Sequence, residues 1–189
     1  MTARTAAVVL ATLVAGTAYA APENYAIDST HTFPSFEISH MGFSTQRGRF
    51  NKTTGSIVLD RAAKKASVDI SIDTNSISTG LEKLEAHLRA EDFFDVAKYP
   101  AITFKSTSAK FEGDKLASLS GNLTMHGVTK PVTLTVTSFF CGPNPVYKKD
   151  ACGADAVTTI KRSDFGINYA LPAVGDQVKL LIQVEGLKN

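Results

Sequence analysis

The chain has 189 residues, of which 20 are basic, 18 are acidic and 43% are hydrophobic. This length fits one ordinary domain with a substantial core, and a net charge of +2 gives no electrostatic reason to bind nucleic acid or an anionic membrane surface. Since no basic run interleaved with aromatic residues occurs either, we exclude nucleic acid as a partner.

The first 20 residues have the pattern of a secretory signal peptide. Arg4 supplies a positive charge, an apolar stretch covers residues 6–14, and residues 18–20 (AYA) match the small-x-small cleavage pattern. The apolar stretch is short for a membrane span, and no Cys follows the cleavage site, so no stable membrane anchor is expected. We therefore predict a single periplasmic domain over residues 21–189, with 19 basic and 18 acidic residues once Arg4 is removed.

Strands are predicted along most of this domain, because apolar and polar residues alternate with a period of two. Without helical crossovers between them, such strands pair antiparallel. Closure into a barrel would remove exposed sheet edges, although a two-sheet sandwich fits the alternation equally well. In chain order, the nine predicted strands cover residues 25–28, 32–40, 55–60, 66–73, 101–107, 117–125, 132–136, 154–161 and 178–185. A hairpin turn is predicted at residues 126–131, where Gly127 can take a positive φ.

A helical excursion is predicted at about residues 79–95. Leu81, Leu84 and Leu88 recur at helical spacing, and Thr79 with Glu82 has the spacing of a capping box. The segment should end before Pro100, which disfavours helix in the preceding residue. We expect this helix to lie across a face or an open end of the sheet.

The two cysteines, Cys141 and Cys152, are predicted to form a disulfide. Export places them in an oxidising compartment, where a pair close in sequence is more often a disulfide than a metal site. The intervening residues 142–150 are rich in Gly, Pro, Asn and Lys and predict a polar turn. The bridge should therefore clamp a hairpin.

No spacing typical of a metal site or of an enzyme motif is present. We therefore predict no metal, no required cofactor and no catalytic residue. The only reactive-looking group is His87 with Arg89, Glu91 and Asp92 at the end of the predicted helix. It is interpreted as a surface salt-bridge cluster, or alternatively as a contact for a polar ligand headgroup at the barrel mouth.

Eleven phenylalanines and no tryptophan occur in the chain. Ordinary core packing explains any single one of them. However, an eight-stranded barrel is just wide enough to be filled by its own side chains or to hold one slim ligand, and small-molecule pockets are mainly apolar. The phenylalanines are therefore candidates for lining a pocket.

Four stretches carry a resemblance to a known family: residues 31–43 (HTFPSFEISHMGF), 87–100 (HLRAEDFFDVAKYP), 121–132 (GNLTMHGVTKPV) and 161–166 (KRSDFG). Together they are similar to the motifs of the YceI-like proteins over nearly all of residues 21–189. Ala90 stands where many relatives have Ser, and the insert between the cysteines resembles that of one subgroup. The resemblance implies an extended, lipocalin-like antiparallel barrel whose tunnel holds a polyisoprenoid lipid or an isoprenoid quinone, without a catalytic residue set.

On this resemblance we predict a carrier of an apolar small molecule. Two alternatives stay open: a lipid-acting enzyme using residues 87–92, and a solid barrel that serves a stress or interaction role without a ligand. A homodimer is compatible with each of these. The predicted ligand contacts are Phe33, Phe36, Ile38, His40, Phe43, Val68, Ile70, His87, Arg89, Phe93, Phe94, Phe104, Leu123 and Phe165.

Overall fold

Eleven antiparallel strands and one helix make up residues 21–189, the part of the chain that the computed structural model describes. The predicted signal peptide lies outside these described residues. The strands are β1 Glu23–Ile27, β2 Phe33–His40, β3 Ser44–Phe50, β4 Thr53–Asp60, β5 Lys65–Asp73, β6 Ile77–Ser78, β7 Ala101–Glu112, β8 Lys115–Met125, β9 Val128–Asn144, β10 Lys149–Lys161 and β11 Val174–Lys188; the helix α1 is Glu82–Arg89.

Eight of the strands form a closed antiparallel barrel. The hydrogen-bonded order is β1-β4-β5-β7-β8-β9-β10-β11, and the end of β11 pairs back with β1, with Ile27 opposite Gly186. The predicted mainly β barrel with a short helix is therefore confirmed. The sandwich alternative is wrong, because pairing continues around a single sheet and leaves no second layer.

Strand β11 is long enough to pair with two strands in succession along one edge. Its residues 174–183 pair with β2, and its residues 186–188 pair with β1. Strands β3 and β6 extend the wall beyond β2. Residues 41–43 form the tight turn between β2 and β3, in which Met41 and Gly42 have positive φ values of 53° and 74° and the Phe43 N–H donates to the His40 carbonyl at 3.0 Å.

The turn between β8 and β9 is shorter than residues 126–131, where the sequence suggested it. His126 and Gly127, at φ of 52° and 75°, form the whole turn, and β9 begins at Val128. A side chain on Gly127 would collide with the ring of Tyr99, which packs directly on its Cα. Pro131 consequently lies inside a strand, where proline is tolerated only if its missing N–H faces an unpaired edge.

Such an unpaired edge exists between β9 and β10. The two strands pair from Thr135 to Asn144 and from Val157 back to Lys149. Residues 128–134 of β9 and 158–161 of β10 are not paired with each other, although each pairs with its other neighbour. The barrel wall is therefore open beside the 3₁₀ turn Arg162–Phe165, and we call this opening the β9–β10 gap.

Helix α1 is shorter than the predicted excursion, and its start is stabilised by a different acidic residue. The Glu85 carboxylate accepts hydrogen bonds from the backbone N–H groups of Thr79 and Gly80, at 2.7 and 3.0 Å. The predicted pair of Thr79 and Glu82 does not form a capping box, because the helix begins only at Glu82. Residues 90–99 continue as turns.

Cys141 and Cys152 are bonded to each other and lie directly opposite on β9 and β10. The predicted disulfide is thus present. Their separation of 11 residues closes a short loop in the unfolded chain, which stabilises the folded state by about 3 kcal/mol on the chain-entropy account.

Replacing both cysteines with alanine is expected to lower the free energy of unfolding by about 3 kcal/mol, measured by urea denaturation. The same loss should appear when the wild-type protein is reduced with dithiothreitol. The double variant should not respond to the reductant, and equal stability of the oxidised and reduced wild type would contradict the prediction.

Candidate functional site

The barrel interior is the candidate site, and strand register shows which side chains face it. Ile70 on β5 lies opposite Phe104 on β7, which lies opposite Leu123 on β8. All three are buried. Because residues directly opposite each other point to the same face of a sheet, this row and its continuation around the barrel form the inner surface.

The inner surface is packed on one side and accessible on the other. On β5, β7 and β8 the inward residues Ile70, Ile72, Ile102, Phe104, Leu119, Leu123 and Met125 are buried, whereas most inward apolar residues of β2, β9, β10 and β11 are half-buried, apart from Pro34, Ala156 and Cys152. Inward side chains of a barrel stay accessible where their neighbours leave space unfilled or where the wall is open, as it is beside Val132 and Ile160. These half-buried inward residues are Phe36, Ile38, Val132, Leu134, Val136, Ile160, Val178, Leu180, Ile182 and Val184.

Aromatic side chains close the end of the barrel that carries α1. The ring of Phe50 lies 6.3 Å from that of Phe36 and meets the ring of Phe94 edge-on at 5.6 Å. Phe165, in the 3₁₀ turn after β10, is only 1% exposed. Its carbonyl oxygen is 3.1 Å from Nδ1 of His126. This end is therefore sealed by packed rings.

A second, smaller core closes the opposite end. Tyr25, Leu59 and Cys152 are buried there, with Phe111 and Phe139 packed against them. The Tyr25 hydroxyl donates a hydrogen bond to Glu23 at 2.8 Å, and burial, reinforced by the Glu23 carboxylate, raises the pKa of Tyr25 to about 12. The accessible apolar lining thus lies between two packed ends.

A cavity of about 550 Å³ occupies the β9–β10 gap. It is lined by the apolar residues Val132, Ile160 and Phe165, which are half-buried or buried, and by polar residues that include the exposed Lys130 and several threonines. The cavity therefore joins an apolar surface to a polar one.

Apart from His87 and Arg89, the predicted ligand contacts separate into three groups in the structure. Phe36, Ile38, Val68, Ile70, Phe104 and Leu123 lie on the inner surface. Phe93, Phe94 and Phe165 pack at the α1 end. Phe33, His40 and Phe43 are not brought into the interior.

Those three residues have other surroundings. Phe33 is on the outer face of β2, because its position alternates with those of the inward residues of that strand. The guanidinium of Arg49 is 4.4 Å from the centre of its ring. His40 is exposed at the end of β2. Phe43 follows the hairpin turn and is 88% exposed. The aromatic composition alone did not distinguish them from the inward residues.

His87 lies on the outside of the α1 end. Its Nε2 is 3.3 Å from Oδ2 of Asp92, and both side chains are more than 40% exposed. The imidazole also meets the rings of Phe93 and Tyr169 edge-on, at 5.0 and 5.3 Å. The pair thus forms the surface contact that the simpler interpretation of the sequence predicted.

Arg89 holds α1 against the barrel. Its guanidinium donates hydrogen bonds to the carbonyl oxygens of Asn75 and Ile77, both at 3.0 Å, and lies 3.6 Å from the carboxylate of Glu85. Its donors are therefore engaged by the protein, and its role here is to attach the helix to β6.

Asp28, His31 and Glu185 form a polar cluster where β11 changes partner from β2 to β1. Their potential ligand atoms lie within 4.8 Å of one another. Asp28 accepts hydrogen bonds from the backbone N–H and the hydroxyl of Thr30, at 2.9 and 2.6 Å, and lies 2.8 Å from Nδ1 of His31. Thr32 exchanges hydrogen bonds with the backbone of Glu185. These hydrogen bonds connect the segment between β1 and β2 to β11, so the cluster acts as a junction between strands.

This junction should make stability depend on pH. Burial of Asp28 favours its neutral form, but the hydrogen bonds from Thr30 and His31 prevail and lower its pKa. The hydrogen bond to Asp28 raises the pKa of His31 above 6.5. The stabilisation by His31 is therefore complete below its unfolded-state pKa and is lost as the pH rises through its higher folded-state pKa.

We expect His31→Gln to be less stable than the wild type in mild acid, with the difference vanishing in mild alkali. Urea denaturation between about pH 5.5 and 8.5 would measure it. His40→Gln, at the exposed end of β2, controls for loss of an imidazole. A wild-type advantage over His31→Gln that stays constant across this range would contradict the assignment.

The ligand contacts predicted from the sequence do not include most of the half-buried inward residues. The ladders of β9 and β11 were recognised as strands, and their period of two was the available signal. Which face of each ladder lines unfilled space depends on closure of the barrel, which the local pattern does not determine.

Within residues 21–189, no helix combines the length and the apolar character needed to cross a membrane.

Comparisons with known proteins agree with this architecture. The YceI-like domain model matches residues 25–186. Protein YceI of Salmonella arizonae is 41% identical over 183 residues, covering 95% of each chain. The crystal structure of Burkholderia cenocepacia BcnA aligns with a TM-score of 0.72 and 25% identity over 84% of this chain and 98% of that one. A polyisoprenoid binding domain from Saccharophagus degradans shares the fold, with a TM-score of 0.64 and 18% identity over 87% and 98% of the two chains. The chain belongs to the YceI-like family.

Proposed function

We propose that this protein is an exported carrier that holds a polyisoprenoid lipid or an isoprenoid quinone inside its barrel. The observation that supports this most directly is the half-buried apolar lining of β2, β9, β10 and β11, enclosed between two packed ends. An apolar interior suits a long, flexible hydrocarbon chain better than a compact polar metabolite. The resemblance to YceI-like proteins implies the same ligand class.

Burial of the tail suffices to retain such a ligand. Each five-carbon isoprene unit contributes about 4 kcal/mol of gross transfer free energy, at roughly 0.8 kcal/mol per carbon. Four or five units would approach the limit of non-covalent affinity, about 18–21 kcal/mol, before ordering costs are subtracted. The headgroup therefore governs selectivity, and the tail governs retention.

The periplasm is the proposed location. The N-terminal pattern around Arg4 and residues 18–20 is that of a cleaved secretory leader. The disulfide between Cys141 and Cys152 fits a chain that matures in an oxidising compartment.

Binding without catalysis is the proposed activity. An enzyme acting through residues 87–92 would need its acid or base within reach of a substrate in a cleft. His87 and Asp92 are instead exposed and are paired with each other beside Phe93. The half-buried lining likewise disfavours the alternative of a solid barrel without a ligand.

Native mass spectrometry of protein purified from the periplasm tests this function. We expect an added mass that matches a prenyl lipid or quinone, and lipid extraction followed by chromatography would identify it. Delipidated protein should regain one equivalent of ubiquinone with a long prenyl tail. Protein that is free of ligand as isolated and stays so after incubation with prenyl quinones would overturn the proposal.

A further inference from the structure

We infer that the β9–β10 gap is a lateral portal through which the ligand enters, and that its polar headgroup remains seated there while the tail occupies the barrel. This inference rests on the proposed function and adds an entry route and a headgroup position to it. The headgroup chemistry that fits is compact and rich in hydrogen-bond acceptors, as in a quinone ring or a prenyl phosphate.

The first argument is the interrupted backbone pairing. Between residues 128–134 of β9 and 158–161 of β10, alternate backbone N–H and C=O groups face the opening without a partner strand. Pro131 removes one potential donor from this edge segment, which is where a sheet tolerates proline. The strands pair regularly from Thr135 onward, so the opening is confined to the part of the wall near α1.

The second argument is that both ends of the barrel are filled. Phe50, Phe94 and Phe165 pack at the α1 end, and Tyr25 and Leu59 pack at the other. A hydrocarbon entering along the axis would have to displace one of these cores. Entry through the side displaces no packed core.

The third argument is the lining of the gap. Val132 and Ile160 face inward at its depth and belong to the half-buried lining of the barrel. The cavity is also lined by Lys130, Lys161 and Gln177, which are exposed, and Asp164 supplies the one carboxylate of this lining. This arrangement offers donors to a headgroup at the surface and apolar contacts to a tail behind it.

The size of the cavity fits a site that holds the headgroup at the surface and the start of the tail behind it. About 550 Å³ lies within the range of small-molecule sites. The apolar inner rim continues into the ladder of β11, where Leu180 lies opposite Thr158 of β10. A prenyl ligand can therefore turn from the gap into the barrel past Leu180, with Thr158 as the inward polar side chain beside it.

The absence of tryptophan from the sequence allows a local test of headgroup position. We would place a single tryptophan at the gap, as Thr159→Trp, or on an outward position of the far wall, as Thr54→Trp. Since a quinone ring quenches tryptophan fluorescence at short range, binding of a long-tailed ubiquinone should quench Thr159→Trp strongly and Thr54→Trp weakly. A prenyl phosphate, added in competition, should reverse the quenching if both headgroups share the site.

A second measurement tests the route. In the double variant Thr133→Trp/Thr159→Trp, bulky rings narrow the gap from both strands, and we expect transfer of the quinone from phospholipid vesicles to slow about tenfold, as for an obstructed entrance. Thr54→Trp should transfer at the wild-type rate. The affinity of the double variant should change far less than its rate, because the tail site is untouched.

The outcomes separate the two proposals. If wild-type protein binds neither ubiquinone nor prenyl phosphate, the carrier function fails. If it binds them, but both single tryptophans are quenched equally and the double variant transfers at the wild-type rate, the function stands and the lateral portal is wrong.

Discussion

Replacing Arg162 with methionine is expected to destabilise the protein by roughly 3 to 5 kcal/mol, because it removes the buried guanidinium on which several backbone carbonyl oxygens depend for a donor. The Arg162 guanidinium donates hydrogen bonds to four backbone carbonyl oxygens. They belong to Gly175, Ile167, Tyr169 and Val174, at 2.9, 3.0, 2.8 and 3.0 Å. The residue is only 4% exposed.

These contacts connect the 3₁₀ turn after β10 to the loop that leads into β11. The adjacent Ser163 donates hydrogen bonds to Asp176 from its backbone N–H and its hydroxyl, at 2.9 and 2.8 Å. Burial lowers the pKa of Arg162, while the nearby Asp176 carboxylate opposes this shift. The guanidinium nevertheless stays charged at neutral pH, as arginine does throughout proteins. The loop is therefore organised around one buried cation.

Urea denaturation measures the effect. Lys161→Met is the matched control, since the neighbouring Lys161 is exposed and its loss should cost little. Arg162→Lys should be nearly as unstable as Arg162→Met, because an ammonium cannot reach four carbonyl oxygens in the fork geometry of a guanidinium. Equal stability of Arg162→Met and Lys161→Met would show that the carbonyl oxygens find other donors.

The strands that the sequence predicted are those whose inner face meets the interior along their whole length. Strand β5 alternates cleanly because one side faces the interior and the other faces solvent, and β11 does so apart from Leu181. Strand β3 was missed, since all its residues before Gly48 are exposed and polar. Strand β9 was predicted too short, because a register shift opposite Asp155 and Ala156 interrupts the alternation before Phe139.

The site was predicted less completely than the fold, for a related reason. Arg162 belongs to a stretch that resembles the family, yet nothing local indicates that its side chain turns inward to bind carbonyl oxygens. The gap between β9 and β10 depends on two strands diverging in space. In the sequence, only Pro131 indicates this gap, and the pattern of residues 126–131 predicts a turn instead.

Leu180→Asn is expected to weaken binding of a prenyl ligand about 30- to 100-fold. Leu180 lies on the inner face of β11, opposite Thr158 on β10 and Phe36 on β2. The side-chain amide of the introduced asparagine would be hydrated in the empty barrel, and it would lose this hydration when the ligand tail binds. The cost of burying an amide without a partner is roughly 2 to 3 kcal/mol. Asparagine is close to leucine in shape, so the space for the tail is preserved.

The next residue along the strand supplies the control. Leu181 is half-buried like Leu180 but points to the opposite face, where it lies opposite Val157 and Ser35. Titration of both asparagine variants with a long-tailed ubiquinone, together with urea denaturation of each, separates lost binding from lost stability. If Leu181→Asn weakened binding as much as Leu180→Asn, the tail would not lie along the inward ladder of β11. A selective loss in Leu180→Asn would mean that the ligand is held by the inward side chains of that strand.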